Sequence, residues 1–361
     1  MTSALTAASQ PTRIVAISET MRIGVMTGPR ALELREIAVP TPGPGQVLVR
    51  LRATAICTWE QRTYTGAQEN RFPFLGGHEM AGEVVALGPG VTDGLAVGDR
   101  VTLGPSSCGR CHWCLTGQDR ACALHYSSAV QYGDVWGPGG FAEYKLQPAD
   151  GCYPIGGADF DVGALAEPLS CALHATRLLD VRVGEDAVVI GAGVMGLMNV
   201  VALKKRGARV IVSEIDPARL ELARRMGADE TIDASSADPV ERVKALTEGR
   251  GAEVVIAAIG AAKANEQGLA MLAQRGRYVL FAAAHPEPPL TISPNDFHNH
   301  ERGVIGSVSK DKQDFYAAAR LIRYGQVDLR PLIDAHYPLA ELERAMEAAV
   351  QPGTYRIVVT L

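Results

Sequence analysis

Two rhythms of apolar and polar positions divide the chain. From residue 21 to about 150, apolar residues alternate with polar ones or run in short stretches, as in "QVLVRLRATAI" (46–56) and "EMAGEVVALG" (79–88). Segments rich in glycine and proline punctuate them: "PTPGPG", "GPGVTDG" and "GPGG". Period-two runs between such breakers predict a β-rich region. From about residue 170 the pattern changes. Short β-branched runs, "DAVVIGAGVMG", "ARVIVSE", "EVVIAAI", "RYVLFAAA" and "GVIGSVS", are interleaved with helix-period segments such as "LMNVVALKKRG" and "PARLELARRMGA". That alternation predicts βαβ units and a parallel sheet, so the fold class is α/β. Beyond about residue 310, "KQDFYAAARLIRYGQ" and "LAELERAMEAAV" read as helices and "YRIVVTL" as a closing strand.

The first twenty residues stand apart from both rhythms and read as a leader before the pattern that begins at "MRIGVMTGPRALELREI". They lack a basic start followed by a sustained apolar core, so a signal peptide is not expected. A length of 361 residues predicts two domains. An apolar share of 47% with 21% charged residues is that of an ordinary globular protein. A net charge of −5 gives no reason to expect nucleic acid or an anionic membrane as partner. No apolar run is long enough for a transmembrane helix. A cytoplasmic location is expected.

The strand-like run at 186–190 breaks into Gly191-Ala192-Gly193-Val194-Met195-Gly196 and opens a helix-like run. A lone G-x-G-x-x-G is a weak signal, since glycines cluster in many turns. Here the flanking strand and helix supply the setting that a dinucleotide fingerprint requires. Its glycines let the backbone approach a pyrophosphate at a helix N-terminus. Glu214 closes the next strand, where a carboxylate accepts ribose hydroxyls and repels a 2′-phosphate. The expected cofactor is therefore NAD.

Of seven cysteines, four fall in "CGRCHWCLTGQDRAC" as Cys108, Cys111, Cys114 and Cys122. Clustered cysteines without an export signal point to metal before disulfides. Four thiolates in one short loop suit a closed tetrahedral zinc site, which leaves no position for substrate. The site is expected to be structural, with His112 a bystander. Cys57, in "ATAICTWEQRTYTG", reads on its own as a buried small hydrophobe.

Together with "GGHEMAGEV" (76–84), "ALAEPLSCALHA" (164–175), the cysteine loop and the glycine loop, Cys57 takes on another reading. The chain from residue 21 to 361 resembles the zinc-dependent medium-chain alcohol dehydrogenase family, nearest its polyol (sorbitol-like) and threonine dehydrogenase branches. The resemblance implies a GroES-like β-barrel catalytic domain over 21–170, joined by 309–361, and a Rossmann NAD-binding domain over 171–308. It implies two zinc ions per chain, a cleft between the domains as active site, and a homo-oligomer, a tetramer before a dimer. Cys57 and His78 match ligands of the catalytic zinc. Glu79 either binds the metal or stands just behind it, and Glu167 sits where many relatives supply another ligand. Arg356 matches a basic residue that reaches the cofactor pyrophosphate in some relatives, and Arg219 joins the cofactor-binding set.

The implied activity is hydride transfer from a secondary alcohol (a polyol, sugar, cyclitol or hydroxy-acid derivative) to NAD. The alternatives are a simple aliphatic or aromatic alcohol as substrate, or zinc-free quinone or enoyl reduction on the same fold. The segment after Cys57 departs from the polyol pattern. Trp59 replaces the hydroxyl residue that often relays the proton, and Arg62 stands where histidine is frequent. Glu60 keeps an acid positioned to orient His78, and the proton is expected to leave through zinc-bound water, the Glu79 or Glu60 carboxylate or the nicotinamide ribose, with Thr58, one residue out of register, a weaker candidate. Trp59, Arg62, His125, Tyr126, Asp134 and Trp136 are candidates for the substrate pocket.

Overall fold

The structure is a computed structural model that describes residues 16–361 except 93, 126–128 and 284–285. Most of the expected leader, and Tyr126, lie outside the described residues. The first strand, Thr20–Gly28, pairs with Ala31–Ala38, so regular structure begins one residue inside that leader.

Six parallel strands form one sheet in the order Glu230–Asp233, Arg209–Glu214, Asp186–Ile190, Ala252–Ala257, Leu272–Leu280, Gly303–Gly306. The first strand in sequence lies in the middle, and the chain winds outward from it twice. This doubly wound order puts a topological switch point at the carboxyl end of Asp186–Ile190, where ligands of such sheets bind. Every side chain of that strand is buried, as expected of a strand covered by helices on both faces.

The second sheet has the order Ile333–Pro338, Arg356–Thr360, Gln46–Ala55, Glu79–Leu87, Arg100–Leu103, Cys152–Pro154, with Tyr144–Pro148 also pairing Gln46–Ala55. The last strand of the chain thus returns to lie antiparallel to Gln46–Ala55, with Val358 opposite Ala55. One apolar core runs through both sheets' surroundings: Ala55 and Val358 belong to the same cluster as Leu169, Val189 and Leu197. The helix Ala166–Leu178, ten of whose residues are buried, lies in that cluster and carries Glu167.

The β-rich stretch contains one element that its alternation did not predict, the helix Thr58–Thr65. Cys57 is its extended N-cap, and Gly66, at φ +78°, ends it in the left-handed conformation. Glu60, Thr63 and Tyr64 form its buried face. That spacing is helical, but two of the three residues are polar, so no apolar periodicity announces the helix.

Candidate active site

The first turn of helix Thr58–Thr65 and the start of strand Glu79–Leu87 bring Cys57, Glu60, His78 and Glu79 together. Ligand atoms of Cys57, Glu60 and His78 lie within 4.8 Å of one another, as do those of His78, Glu79 and Glu167. Glu60 is fully buried and accepts from the Gly77 N–H at 2.9 Å, and its Oε1 lies 2.7 Å from His78 Nδ1. That bond fixes the ring and leaves Nε2 as the nitrogen available to a metal. Burial opposes a charge on His78, but Glu60 and Cys57 outweigh it and hold the imidazole well above its ordinary pKa.

Each of the two deeper carboxylates has a cation. Arg356 donates to Glu79 through two bonds, Nε to Oε2 at 2.9 Å and an Nη to Oε1 at 2.6 Å, with both side chains essentially inaccessible. Full burial pushes the Glu79 carboxyl up, and Arg356 is the main counterweight. Lys310 pairs with Glu167 from the segment after the last parallel strand. Burial raises Glu167, and Lys310 with His78 reverses this to a net lowering. Two overlapping groups that share His78 thus bring a thiol, an imidazole and carboxylates to one region, a donor set that suits zinc.

Arg356 therefore does not take the position expected of it. Its guanidinium is clamped on Glu79 and reaches Cys57 Sγ at 3.7 Å, beside the Cys57 and His78 side chains and not at the glycine loop. Its neighbour Tyr355 makes the contact with that loop, its hydroxyl donating to the Ala192 carbonyl at 3.4 Å. Successive side chains of an extended chain point to opposite sides.

Ligand atoms of Cys108, Cys111, Cys114 and Cys122 also lie within 4.8 Å of one another. All seven cysteines are unpaired thiols. Backbone N–H groups turn inward on the sulfurs: Cys111 donates to Cys108 at 3.3 Å and Leu124 to Cys122 at 3.4 Å. The N–H groups of Arg110 and Cys111 bring the Cys108 thiol down to about 6. Four thiols so held fit a closed structural zinc site. The loop is tied to the start of helix Lys312–Arg323, because Asp311 accepts from Arg120 N–H at 2.9 Å and Asp119 accepts from Lys312 N–H.

At the switch point the glycine loop caps helix Val194–Lys205, and Gly193 is its N-cap. A Cβ at Gly196 would sit 1.9 Å from the Gly191 carbonyl, so the helix packs directly on the loop. A Cβ at Gly193 would meet only the Arg219 guanidinium, at 3.9 Å. That leaves room for a phosphate beside the N–H groups of Val194 and Met195, with Arg219 at hand. Glu214 accepts from the Ala192 N–H at 2.7 Å and from the N–H groups of Ile215 and Asp216. Its carboxylate is thereby locked at the edge of the loop.

The substrate-side candidates separate. Trp59 packs edge-on against His78, ring centres 5.6 Å apart, and against Phe74 at 5.3 Å. Trp136 joins the same stack through Phe74. Arg62 reaches the carbonyl of Ala283. Thr58 is exposed. His125, by contrast, is 1% exposed beside Asp119, where burial pushes it down to about 4. Asp134 is an exposed partner of Arg35. Neither offers a surface to a substrate beside His78. Lys310 was missed, along with a buried network in which Asp314 binds His174 at 2.7 Å and Arg177 at 2.8 Å. No local pattern marks these residues, since their partners lie 137 or more positions away.

Residues 194–323 match the family described as zinc-binding dehydrogenase, and residues 43–157 match the alcohol dehydrogenase GroES-like domain. The chain is 32% identical to a sorbitol dehydrogenase of Halalkalibacterium halodurans, over 91% of this chain and 95% of that protein. It is 34% identical to an L-threonine 3-dehydrogenase of Pyrococcus horikoshii, again over 91% and 95%. A zinc-binding dehydrogenase of Sinorhizobium meliloti, solved bound to NADP, superposes with a TM-score of 0.85 at 29% identity, covering 95% of this chain and all of that one.

Proposed function

The chain belongs to the zinc-dependent medium-chain alcohol dehydrogenase family, and we propose that within it the protein oxidises a secondary alcohol of the polyol type with NAD as acceptor. The observation that carries this reading is the pair of groups that share His78, one with Cys57 and Glu60 and the other with Glu79 and Glu167, with Glu60 holding His78 by Nδ1. Zinc held there supplies Lewis acidity toward an alcohol oxygen, and NAD at the glycine loop supplies the hydride acceptor.

The chain's own residues set the stage. Cys57, His78 and Glu167 are the metal ligands, and Glu79, with both oxygens on Arg356, orients the cluster from behind. Arg356 and Lys310 balance two buried carboxylates, which would otherwise resist ionisation. Glu60 is a positioning residue: buried and shared between Gly77 and His78, it offers no route for a proton to water. Trp59 has no hydroxyl to pass a proton, so the exposed Thr58 is the hydroxyl nearest Cys57 in the chain and the candidate relay.

Glu214 supports NAD over NADP, because its locked carboxylate would face a 2′-phosphate. Cys108, Cys111, Cys114 and Cys122 hold a second, structural zinc. The two sheets support a division into a catalytic domain of 21–170 with 309–361 and a nucleotide domain of 171–308. Among the described residues no strand pairs the outer edge of Gly303–Gly306 in the parallel sheet, which supports assembly into a homo-oligomer, a tetramer in our reading. Seven unpaired cysteines suit the reducing cytoplasm. No helix among the described residues is long and apolar enough to cross a membrane.

A second reading, a simple aliphatic or aromatic alcohol as substrate, is favoured by Trp59 against His78. NADH formation on matched panels separates the two. Turnover of polyols above simple alcohols supports the first reading, and the reverse order replaces it with the second.

A further inference from the structure

We propose that Arg62 makes this site selective for alcohols that carry an anionic group, a carboxylate or a phosphate, a substrate class that rests on the polyol reading above. Arg62 lies on helix Thr58–Thr65, one turn beyond Trp59, which flanks His78, and two residues beyond Glu60, which holds it. From there its guanidinium reaches the Ala283 carbonyl at 3.3 Å. Ala283 follows the carboxyl end of the parallel strand Leu272–Leu280, on the edge of the sheet where ligands of doubly wound folds bind. The side chain therefore links the helix that begins after Cys57 to the segment that follows a strand of the parallel sheet.

Its pairing sets it apart from the other cations nearby. Arg356 is taken by Glu79 and Lys310 by Glu167. Arg62 has no carboxylate within ion-pair distance among the described residues, only that neutral carbonyl. One bond to a carbonyl uses one of five N–H donors. The remaining fork matches a carboxylate or phosphate in geometry and charge. The adjoining face of Trp59 gives the carbon chain of such a substrate an apolar surface beside His78. Arg62 is half-buried, so an anion placed on it is screened less than on an open surface.

The test uses the full-length enzyme with Arg62→Ala, Arg62→Gln and Arg62→Lys. Three substrates of one chain length are compared: a neutral polyol, the corresponding aldonate and the polyol phosphate. The readouts are kcat and KM from NADH formation, and NADH affinity from its fluorescence. The expected result is a wild type that prefers one of the two anionic substrates. Arg62→Ala and Arg62→Gln then lower the anionic-to-neutral ratio of kcat/KM by about tenfold to a hundredfold, chiefly through KM, as loss of a charged hydrogen-bonded contact would. Arg62→Lys recovers part of the ratio. Whether aldonate or phosphate responds identifies the anion. An unchanged ratio with weakened NADH binding assigns Arg62 to the cofactor and overturns the proposal. Turnover of the neutral polyol alone, in wild type and variants alike, overturns it and leaves the polyol reading standing. Turnover of none of the three overturns both.

Discussion

The pairing of Glu79 with Arg356 makes the sharpest energetic prediction. Two N–H···O bonds of 2.9 and 2.6 Å join side chains that are 0% and 2% exposed. Arg356→Met removes the cation and leaves a buried carboxylate without its main counter-charge. Breaking such a pair from one side costs about 3–5 kcal/mol. At about 2–4 °C per kcal/mol for a domain of this size, the thermal midpoint should fall by roughly 6–20 °C. Glu79→Gln with Arg356→Met removes both charges and should recover much of that loss, since a neutral pair of similar volume is often as stable as the ion pair. The assay is a double-mutant cycle by circular dichroism, with all four proteins heated at one scan rate. The coupling energy should be at least about 2 kcal/mol, toward the upper end for contacting residues. A single Arg356→Met variant as stable as wild type, or a double variant no better than that single one, would refute the buried-charge reasoning.

Two further outcomes follow from the nucleotide loop and the buried network. Glu214→Ala should narrow the preference for NAD over NADP by about tenfold or more in kcat/KM, one charged contact's worth of discrimination; a wild type that uses both cofactors equally would remove Glu214 from that role. Burial opposes ionisation of Asp314, yet Arg177 and His174 bring it from 3.8 down to about 2. Its folded value is depressed, so the stability it contributes, about 2 kcal/mol, is fully present above pH ~4 and is lost as pH falls toward 2. Asp314→Asn should flatten the acid limb of a stability–pH curve between those values, and an acid limb identical to wild type would contradict the assignment.

What could be read along the chain was local. The glycine loop and the cysteine loop each concentrate their chemistry in a few consecutive residues, and the structure folds each on itself. Cys57, His78 and Glu167 stood out through their motifs, and the structure places Cys57 with His78 and Glu60, and Glu167 with His78 and Glu79. Their counter-charges could not be read in the same way. Arg356 meets Glu79 across 277 positions and Lys310 meets Glu167 across 143, in segments whose own patterns show only a strand and a turn. The misplacement of Arg356 has a plain cause. The tail approaches both sites, and the alternation of an extended chain sends Tyr355 to the glycine loop and Arg356 to Glu79. The helix Thr58–Thr65 stayed hidden because its buried face includes Glu60 and Thr63, which the surrounding structure accommodates and apolar periodicity does not register. His125 was read as lining the pocket because it follows the cysteine loop, but it is buried beside Asp119.

The central claim is that Cys57, His78 and Glu167 hold a zinc ion on which alcohol oxidation depends, apart from the zinc of the cysteine loop. Metal content per chain, measured on wild type, Cys57→Ser and Cys111→Ser alongside NADH formation from polyols, tests it most directly. The account predicts two zinc ions in wild type. Cys57→Ser should retain one, keep its fold and lose turnover, whereas Cys111→Ser should lose the other and fall mainly in stability. A Cys57→Ser protein that keeps both metals and oxidises polyols at the wild-type rate would contradict it.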